Sequence, residues 1–169
     1  MNLKDAIVIT DDNFDFTNLN VMSHLPLLCG IAAGAIVVQR KWVELSIARD
    51  RVLDSDRFVL FAPRSAVDPS FELSNLRIES VGSKEFCQCI DRILYHGGSK
   101  VVSRLFTDPA SLDFVVSEES RFTPNAIVEK SAAKHNVPVL NQQFLIDFVL
   151  SGRMPDSIEQ YVAARITCK

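Results

Sequence analysis

The stretch that decides the fold is Gly34 to Leu45, GAIVVQRKWVEL, because a similar stretch, NVPVLNQQFLID, occurs 102 residues later at Asn136 to Asp147. Each copy has a chain-reversing residue, a short apolar run and three polar residues. An aromatic residue, Trp42 or Phe144, then opens a new helical pattern in each copy. The repeat predicts two copies of one supersecondary unit, with Trp42 and Phe144 as structural anchors.

A second pair of stretches extends the repeat towards the start of each copy. Asp5 to Thr10, DAIVIT, resembles Asp113 to Glu118, DFVVSE, at an offset of 108 residues. Both are β-branched and apolar, which is typical of a buried strand. We therefore expect a strand ahead of the helix and strand that precede each aromatic anchor.

Composition excludes several classes of function. The chain has 169 residues, 47% of them hydrophobic, and a formal net charge of −3, so no basic stripe for wrapping nucleic acid is expected. No run approaches the roughly 18–20 apolar residues of a membrane span, and no secretory signal is expected. The four cysteines lack the paired spacing of a zinc site. These features favour a soluble intracellular protein with buried thiols and no metal or cofactor.

The first half predicts the order strand, helix, strand, helix. Ser23 is a candidate N-cap for the first helix, Pro26 suits its first turn, and Gly34 is a natural stop. The expected elements are a strand at residues 5–10, a helix ending before Gly34, a strand at Ile36–Val38 and a helix at Lys41–Arg49.

The second half predicts β-α-β-β-α-β-α, a pattern that favours a parallel sheet with right-handed crossovers. Ser83 is the candidate N-cap of its first helix, whose core face is Phe86, Ile90, Ile93 and Leu94. The expected strands are Leu76–Val81, Lys100–Phe106, Phe114–Ser117 and Val137–Leu140. The later helices are expected at Asn125–His135 and Gln142–Leu150.

The second half resembles a BRCT module, the protein-interaction and phosphopeptide-binding fold of DNA-damage proteins. The resemblance rests on Gly97-Gly98 after the first helix, Asp113–Val116 as the third strand, and Ala132-Ala133 followed by Asn136–Leu140 and Phe144. It implies a four-stranded parallel sheet flanked by three helices. The expected division is a partial repeat at 1–62, a linker at 63–75 and a complete repeat at 76–163.

The first half resembles the rear of another such module. Cys29–Gly34 and Phe58–Pro63 are similar to tandem BRCT pairs of checkpoint mediators, particularly the tumour-suppressor-binding type. The first strand, first helix and second strand of that repeat have no counterpart, which leaves a sheet edge and an apolar face uncovered. We expect a fragment of a longer protein; completion of the sheet by another chain is the alternative.

The resemblance also implies where phosphate would bind. In the first repeat, the strand that carries the family's hydroxyl and glycine is missing, and the family's lysine position falls on Pro26. In the second repeat, Ser80, Gly82 and Ser83 lie at the equivalent turn, with Lys130 as the candidate cation. The lysine position itself maps to Val128, so a capped helix with a surface lysine is the favoured interpretation.

The implied function is a non-enzymatic scaffold of the nuclear DNA-damage or checkpoint response, which binds a partner protein or a phosphorylated peptide. Neither nucleic acid nor a membrane is an expected partner, and self-association through the incomplete first repeat is an open possibility. Two alternatives remain. One is a small α/β enzyme or nucleotide-binding protein, which thermal stabilisation by nucleotides would reveal. The other is a structural dimerisation half-module, which solution mass would reveal.

Overall fold

Short apolar runs form strands in both halves of the chain. The computed structural model describes residues 6–62, 72–100, 107–118 and 134–163. Its strands are β1 (Ile7–Thr10), β2 (Ile36–Gln39), β3 (Val59–Phe61), β4 (Ile78–Val81), β5 (Phe114–Ser117) and β6 (Val139–Asn141). Its α-helices are α1 (Leu25–Ala32), α2 (Arg40–Ala48), α3 (Lys84–His96) and α4 (Gln142–Ser151).

The first-half sheet has the order β1-β2-β3. β1 and β2 are parallel, as expected for two strands joined through a helix. β3 is antiparallel to β2 although α2 lies between them in the chain, so this sheet is mixed. The apolar run near Phe58 therefore does form a strand, and it closes the first half before the predicted linker.

The second-half sheet has the order β4-β5-β6 and is parallel throughout. This confirms the predicted α/β plan with a parallel sheet. The predicted strand Lys100–Phe106 and the predicted helix Asn125–His135 lie almost entirely outside the described residues. The described part of this half therefore contains three strands and two α-helices of the expected plan.

Strand pairing shows that the two halves repeat one register. Val8 pairs with Val37 in the first half, and Val115 pairs with Val139 in the second. The second strand of each pair keeps the offset of 102 residues. The first strand has an offset of 107, so the offset of 108 taken from the sequence is one residue too large. Because side chains alternate between faces, that error would assign each β1 residue to the wrong face.

The repeat continues past the last helix of each half. Val38 pairs antiparallel with Val59, and Leu140, which lies 102 residues after Val38, forms an antiparallel bridge with Val162. The Ala163 amide also donates to the Val139 carbonyl at 3.1 Å. Each half thus ends with the chain returning to the edge of its sheet.

Polar side chains at the helix starts explain where the helices begin. Ser83 accepts a hydrogen bond from the Phe86 amide at 3.2 Å, which confirms it as the N-cap of α3. Asn141 accepts one from the Phe144 amide at 3.3 Å and caps α4 in the same way. The prediction that Ser23 is the N-cap of α1 was wrong, because α1 begins at Leu25, after His24. The Ser23 amide instead donates a hydrogen bond to the side-chain oxygen of Asn20.

One hydrophobic cluster contains the buried core residues of both halves. α1 packs against β1 and β2 of its own sheet and against α3 and α4 of the second half. Every residue from Leu27 to Ala32 is buried. The predicted face of α3 is buried as well, at Phe86, Ile90, Ile93 and Leu94. The two halves therefore pack against each other through α1.

Candidate functional site

A groove lies where the start of α1 meets α3. Its volume is about 510 Å³, and it is open to solvent along one side. Leu25 supplies an apolar wall from the first half. The second half supplies the lining residues Glu85, Gln88, Cys89, Asp91 and Arg92. Because one helix from each half forms its walls, the groove depends on the packing between the halves.

The groove carries more negative than positive charge. Glu85 and Asp91 are acidic, and Arg92 is the basic residue among those that line it. Partial burial raises the pKa of the Asp91 carboxyl, against a smaller lowering by the hydrogen bond from Ser80. A cationic side chain of a partner would relieve that unfavourable burial of negative charge. The groove is therefore better suited to a basic partner than to a phosphate.

The three predicted phosphate-site residues in the described chain do lie together, between the end of β4 and the start of α3. Ser80 is within β4, Gly82 is in the turn, and Ser83 caps the helix. The Ser83 amide, which would face a phosphate, donates to Glu118 Oε2 at 2.7 Å. The Ser80 hydroxyl donates to Asp91 Oδ1 at 3.3 Å. Two of the donors at this turn, the Ser80 hydroxyl and the Ser83 amide, therefore already have a carboxylate partner.

Gly82 has no room for a larger residue because the side chains of Glu118 and Phe86 lie against it. A Cβ atom built on Gly82 would lie 2.7 Å from Glu118 Cβ and 2.9 Å from Glu118 Oε2. Glu118 therefore fills the space in front of the glycine, and an incoming phosphate would meet a negative charge there. Lys130, the predicted cation, and Val128 lie outside the described residues. The second-half phosphate site stays a prediction.

The corresponding position in the first half carries no cation in the described chain. Pro26 occupies the first turn of α1, as the sequence predicted, and its side chain offers no donor. Leu25 beside it lines the groove. The part of the groove contributed by α1 is therefore apolar.

The two aromatic anchors differ in their surroundings. Phe144 is fully buried, and its ring lies 5.1 Å from that of Phe114 and 5.7 Å from that of Tyr161. Trp42 is half-buried, and its Nε1 donates to the Leu53 carbonyl at 2.9 Å. Phe144 is thus an anchor of the common core, whereas Trp42 holds the turn that follows α2.

Three polar contacts around these positions were not predicted from the sequence. Glu118 was read as the end of a strand, yet its carboxylate bonds an amide 35 residues away. Asp147 accepts hydrogen bonds from the Tyr161 hydroxyl and from Gln143 Nε2, each at 2.7 Å. The spacing of Gln143 and Asp147 on one helix face could have indicated their contact. The other two contacts join distant segments and have no local signal.

The cysteines in the described chain are unpaired and vary in burial. Cys29 is buried in α1, and burial raises the pKa of its thiol to about 11, despite the opposing effect of Arg92. Burial likewise raises the pKa of Cys89. Within the described residues, no group of three or more His, Cys, Asp or Glu side chains could hold a metal ion. No described helix has the length and apolar character needed to cross a membrane.

Cys29 gives a direct check on the packing of α1. At pH 8 we expect iodoacetamide to alkylate Cys29 at least a hundredfold more slowly in the folded chain than in urea. A pKa of about 11, against the ordinary 9.0, leaves about a hundredth of the usual thiolate, and burial slows the reagent further. Peptide mapping by mass spectrometry measures both rates. Equal rates in the folded and denatured chains would show that α1 is not buried between the halves.

Comparisons with known proteins identify the fold. No protein-family model matches the chain, and no curated protein sequence matches it. The structure is similar to the crystal structure of the BRCT5–BRCT6 domains of Brc1 from S. pombe. That likeness has a TM-score of 0.53 at 14% identity and covers 89% of this chain and 93% of the other. The BRCT3,4 structure of Rad4 from S. pombe matches with a TM-score of 0.48 at 18% identity, over 92% of this chain and 77% of the other. The chain has a BRCT-like α/β fold, as the sequence predicted.

Proposed function

We propose that the chain is a protein-interaction scaffold that binds a partner protein in the groove between its two halves, without requiring phosphate. The carrying observation is the open groove, which Leu25 of the first half and five residues of α3 line. The nuclear DNA-damage or checkpoint setting is proposed from the family resemblance of the sequence. The proposed role is not catalytic.

Two features support recognition without phosphate. Glu118 holds the Ser83 amide and Asp91 holds the Ser80 hydroxyl, so the second-half donors are already bound by carboxylates. The first half has Pro26 in the first turn of α1, at the position where the resemblance implies a lysine. A phosphopeptide would therefore have to displace an internal anion in one half and bind without a cation in the other.

The chemistry of the groove specifies the kind of peptide that fits it. Leu25 offers apolar contact, while Glu85 and Asp91 offer negative charge beside it. A partner segment with an apolar side chain next to a lysine or arginine complements both. Arg92, at the same groove, can pair with a carboxylate or a carbonyl of that segment.

A charge reversal in the groove tests this proposal. Peptides are first selected on the wild-type chain from an unmodified library, and their dissociation constants are then measured on Glu85→Lys. We expect binding to weaken by about tenfold or more, since an attractive contact becomes repulsive. Asp56→Lys is the matched control, because Asp56 is also an exposed acidic residue at the start of a helix but lies before β3, outside the groove lining. Equal effects of the two variants would place the binding surface elsewhere.

A further inference from the structure

A second, smaller pocket lies at the C-terminal end of α4 and shares no lining residue with the groove. Its volume is about 200 Å³, and it is open to solvent. Pockets for drug-sized ligands have volumes of roughly 300–1,000 Å³, so this one has the size for a single side chain. The residues that line it include Asp147, Ser151, Arg153, Met154, Asp156 and Tyr161.

Two hydrogen bonds hold the carboxylate of Asp147 in place within this pocket. Its Oδ1 accepts one from Gln143 Nε2 and its Oδ2 accepts one from the Tyr161 hydroxyl, each at 2.7 Å. Burial raises the pKa of the Tyr161 hydroxyl, and the hydrogen bond to Asp147 raises that pKa further. The hydroxyl therefore stays protonated and the negative charge stays on Asp147. Because a carboxylate oxygen has two acceptor sites, each oxygen can accept a further hydrogen bond.

The first half has an apolar pair at the corresponding place. Each half returns to its sheet through a 3-10 turn that ends in an aromatic residue, which is Phe58 in the first half and Tyr161 in the second. On the preceding helix, the counterpart of Asp147 at the offset of 102 residues is Leu45. The second copy therefore has a hydroxyl and the carboxylate that accepts it where the first copy has neither.

The backbone that follows the helix is nevertheless similar in both halves. Gly152 and its counterpart Asp50 both have a left-handed conformation, with φ angles of 68° and 48°. Asp156 also has an acidic counterpart, Asp54. Since the first half makes this turn with an apolar pair, the turn itself does not require the carboxylate and hydroxyl of the second half. That leaves a binding role for the polar pair.

The charges around the pocket favour a cation. Arg153 and Asp156 are both exposed, so water and salt screen their opposite charges, and the half-buried Asp147 dominates. The C-terminal end of α4 adds partial negative charge, and its last turn carries no basic side chain. In the part of the chain that the structure describes, no ion pair joins Asp147 or Asp156 to a cation.

We propose that this pocket binds the guanidinium group of an arginine side chain that a partner protein presents. The inference rests on the proposed function as an interaction scaffold and names a second contact for the partner. A guanidinium is planar, weakly hydrated and rich in N–H donors, so it can bond the free acceptor sites of Asp147 at a small cost in hydration. A lysine ammonium is more strongly hydrated and fits less well. Met154 offers an apolar surface to the stem of the arginine.

The test adds the blocked peptide acetyl-Gly-Arg-Gly-amide to the full chain and follows the backbone amides by NMR. We expect the amides of Ser151, Gly152 and Arg153 to shift saturably, with a dissociation constant in the millimolar range, because a single side chain makes few contacts. The citrulline peptide has nearly the same shape but no charge, and it should bind about tenfold more weakly or worse. The lysine peptide should also bind more weakly than the arginine peptide.

Variants of the polar pair separate binding from folding. Asp147→Asn keeps the size of the side chain and removes its charge, so it should weaken the arginine peptide by about tenfold or more. Asp54→Asn is the matched control in the first half and should leave binding unchanged, since Asp54 lies outside the pocket. Asp147→Leu combined with Tyr161→Phe reproduces the first-half pair at this site. This double variant should still unfold cooperatively, yet it should lose saturable binding of the arginine peptide.

Two results would overturn the inference. The first is equal affinity for the arginine and citrulline peptides, or no saturable shift with either. The second is unchanged arginine binding in the folded double variant. Either result leaves the effect of Glu85→Lys on library peptides intact, because Glu85 and Asp147 line different pockets. Failure of the arginine site is therefore distinguishable from failure of the proposed function.

Discussion

Replacing Phe144 by alanine is expected to lower the free energy of unfolding by about 3–5 kcal/mol. The side chain is fully buried among the rings of Phe114, Phe148 and Tyr161, and its removal leaves a cavity that the surrounding sheet and helix cannot close. Urea unfolding followed by circular dichroism measures the loss.

Trp42→Ala is the matched control, because Trp42 is the repeat counterpart of Phe144. It is half-buried and holds one hydrogen bond to the Leu53 carbonyl, so its loss is expected to be smaller by at least about 1 kcal/mol. A loss below about 1 kcal/mol for Phe144→Ala would contradict the repeat alignment that makes it a core anchor.

The second large effect is expected at Gly30, where α1 approaches β1 most closely. Gly30→Val should destabilise the chain by about 2–3 kcal/mol, because the new side chain would overlap Val8 and force α1 away from the sheet. α1 also packs on α3 and α4, so a displaced α1 loosens both halves together.

A double-variant cycle separates that overlap from other effects of the substitution. Val8→Ala removes the methyl group that the new side chain meets, so Gly30→Val combined with Val8→Ala should be more stable than Gly30→Val alone. A favourable coupling of about 0.5 kcal/mol or more supports direct contact. Strictly additive losses in the cycle would show that Gly30 and Val8 do not meet across the interface of α1 and β1.

Features set by local pattern were predictable from the sequence. The continuous apolar run of β5 was placed residue for residue, and the α3 face was identified from its spacing. The Ser83 cap followed from a serine ahead of a helical pattern. Each of these depends on neighbours within a turn or a strand, where steric and hydrogen-bonding preferences are strong.

Features that depend on distant segments were not predictable. The contact between Glu118 and the Ser83 amide joins two strand ends that only the folded sheet brings together. The different burial of Trp42 and Phe144 follows from the cover of their helices, although the two residues have the same place in the repeat. The start of α1 depended on Asn20 and His24, whose side chains bond the turn before the helix. Tertiary contacts therefore determine the Glu118 hydrogen bond, the burial of the two aromatic residues and the start of α1.

The contacts of Ser80 and Ser83 are the reason why the proposed partner is unmodified rather than phosphorylated. The hydroxyl of Ser80 and the amide of Ser83 stand at the expected turn, yet carboxylates from β5's end and from α3 already bind them. Displacing Glu118 would leave an unpaired carboxylate beside an incoming phosphate, which costs binding energy at short range.

The most direct measurement is binding of the chain to a degenerate phosphoserine and phosphothreonine peptide library beside its unphosphorylated twin. We predict no preference for the phosphorylated set, and no effect of Lys130→Ala on binding of the peptides selected. A clear preference for phosphorylated peptides, lost when Ser83 is replaced by alanine in a variant that still folds, would contradict it and make Ser80, Gly82 and Ser83 the phosphate site.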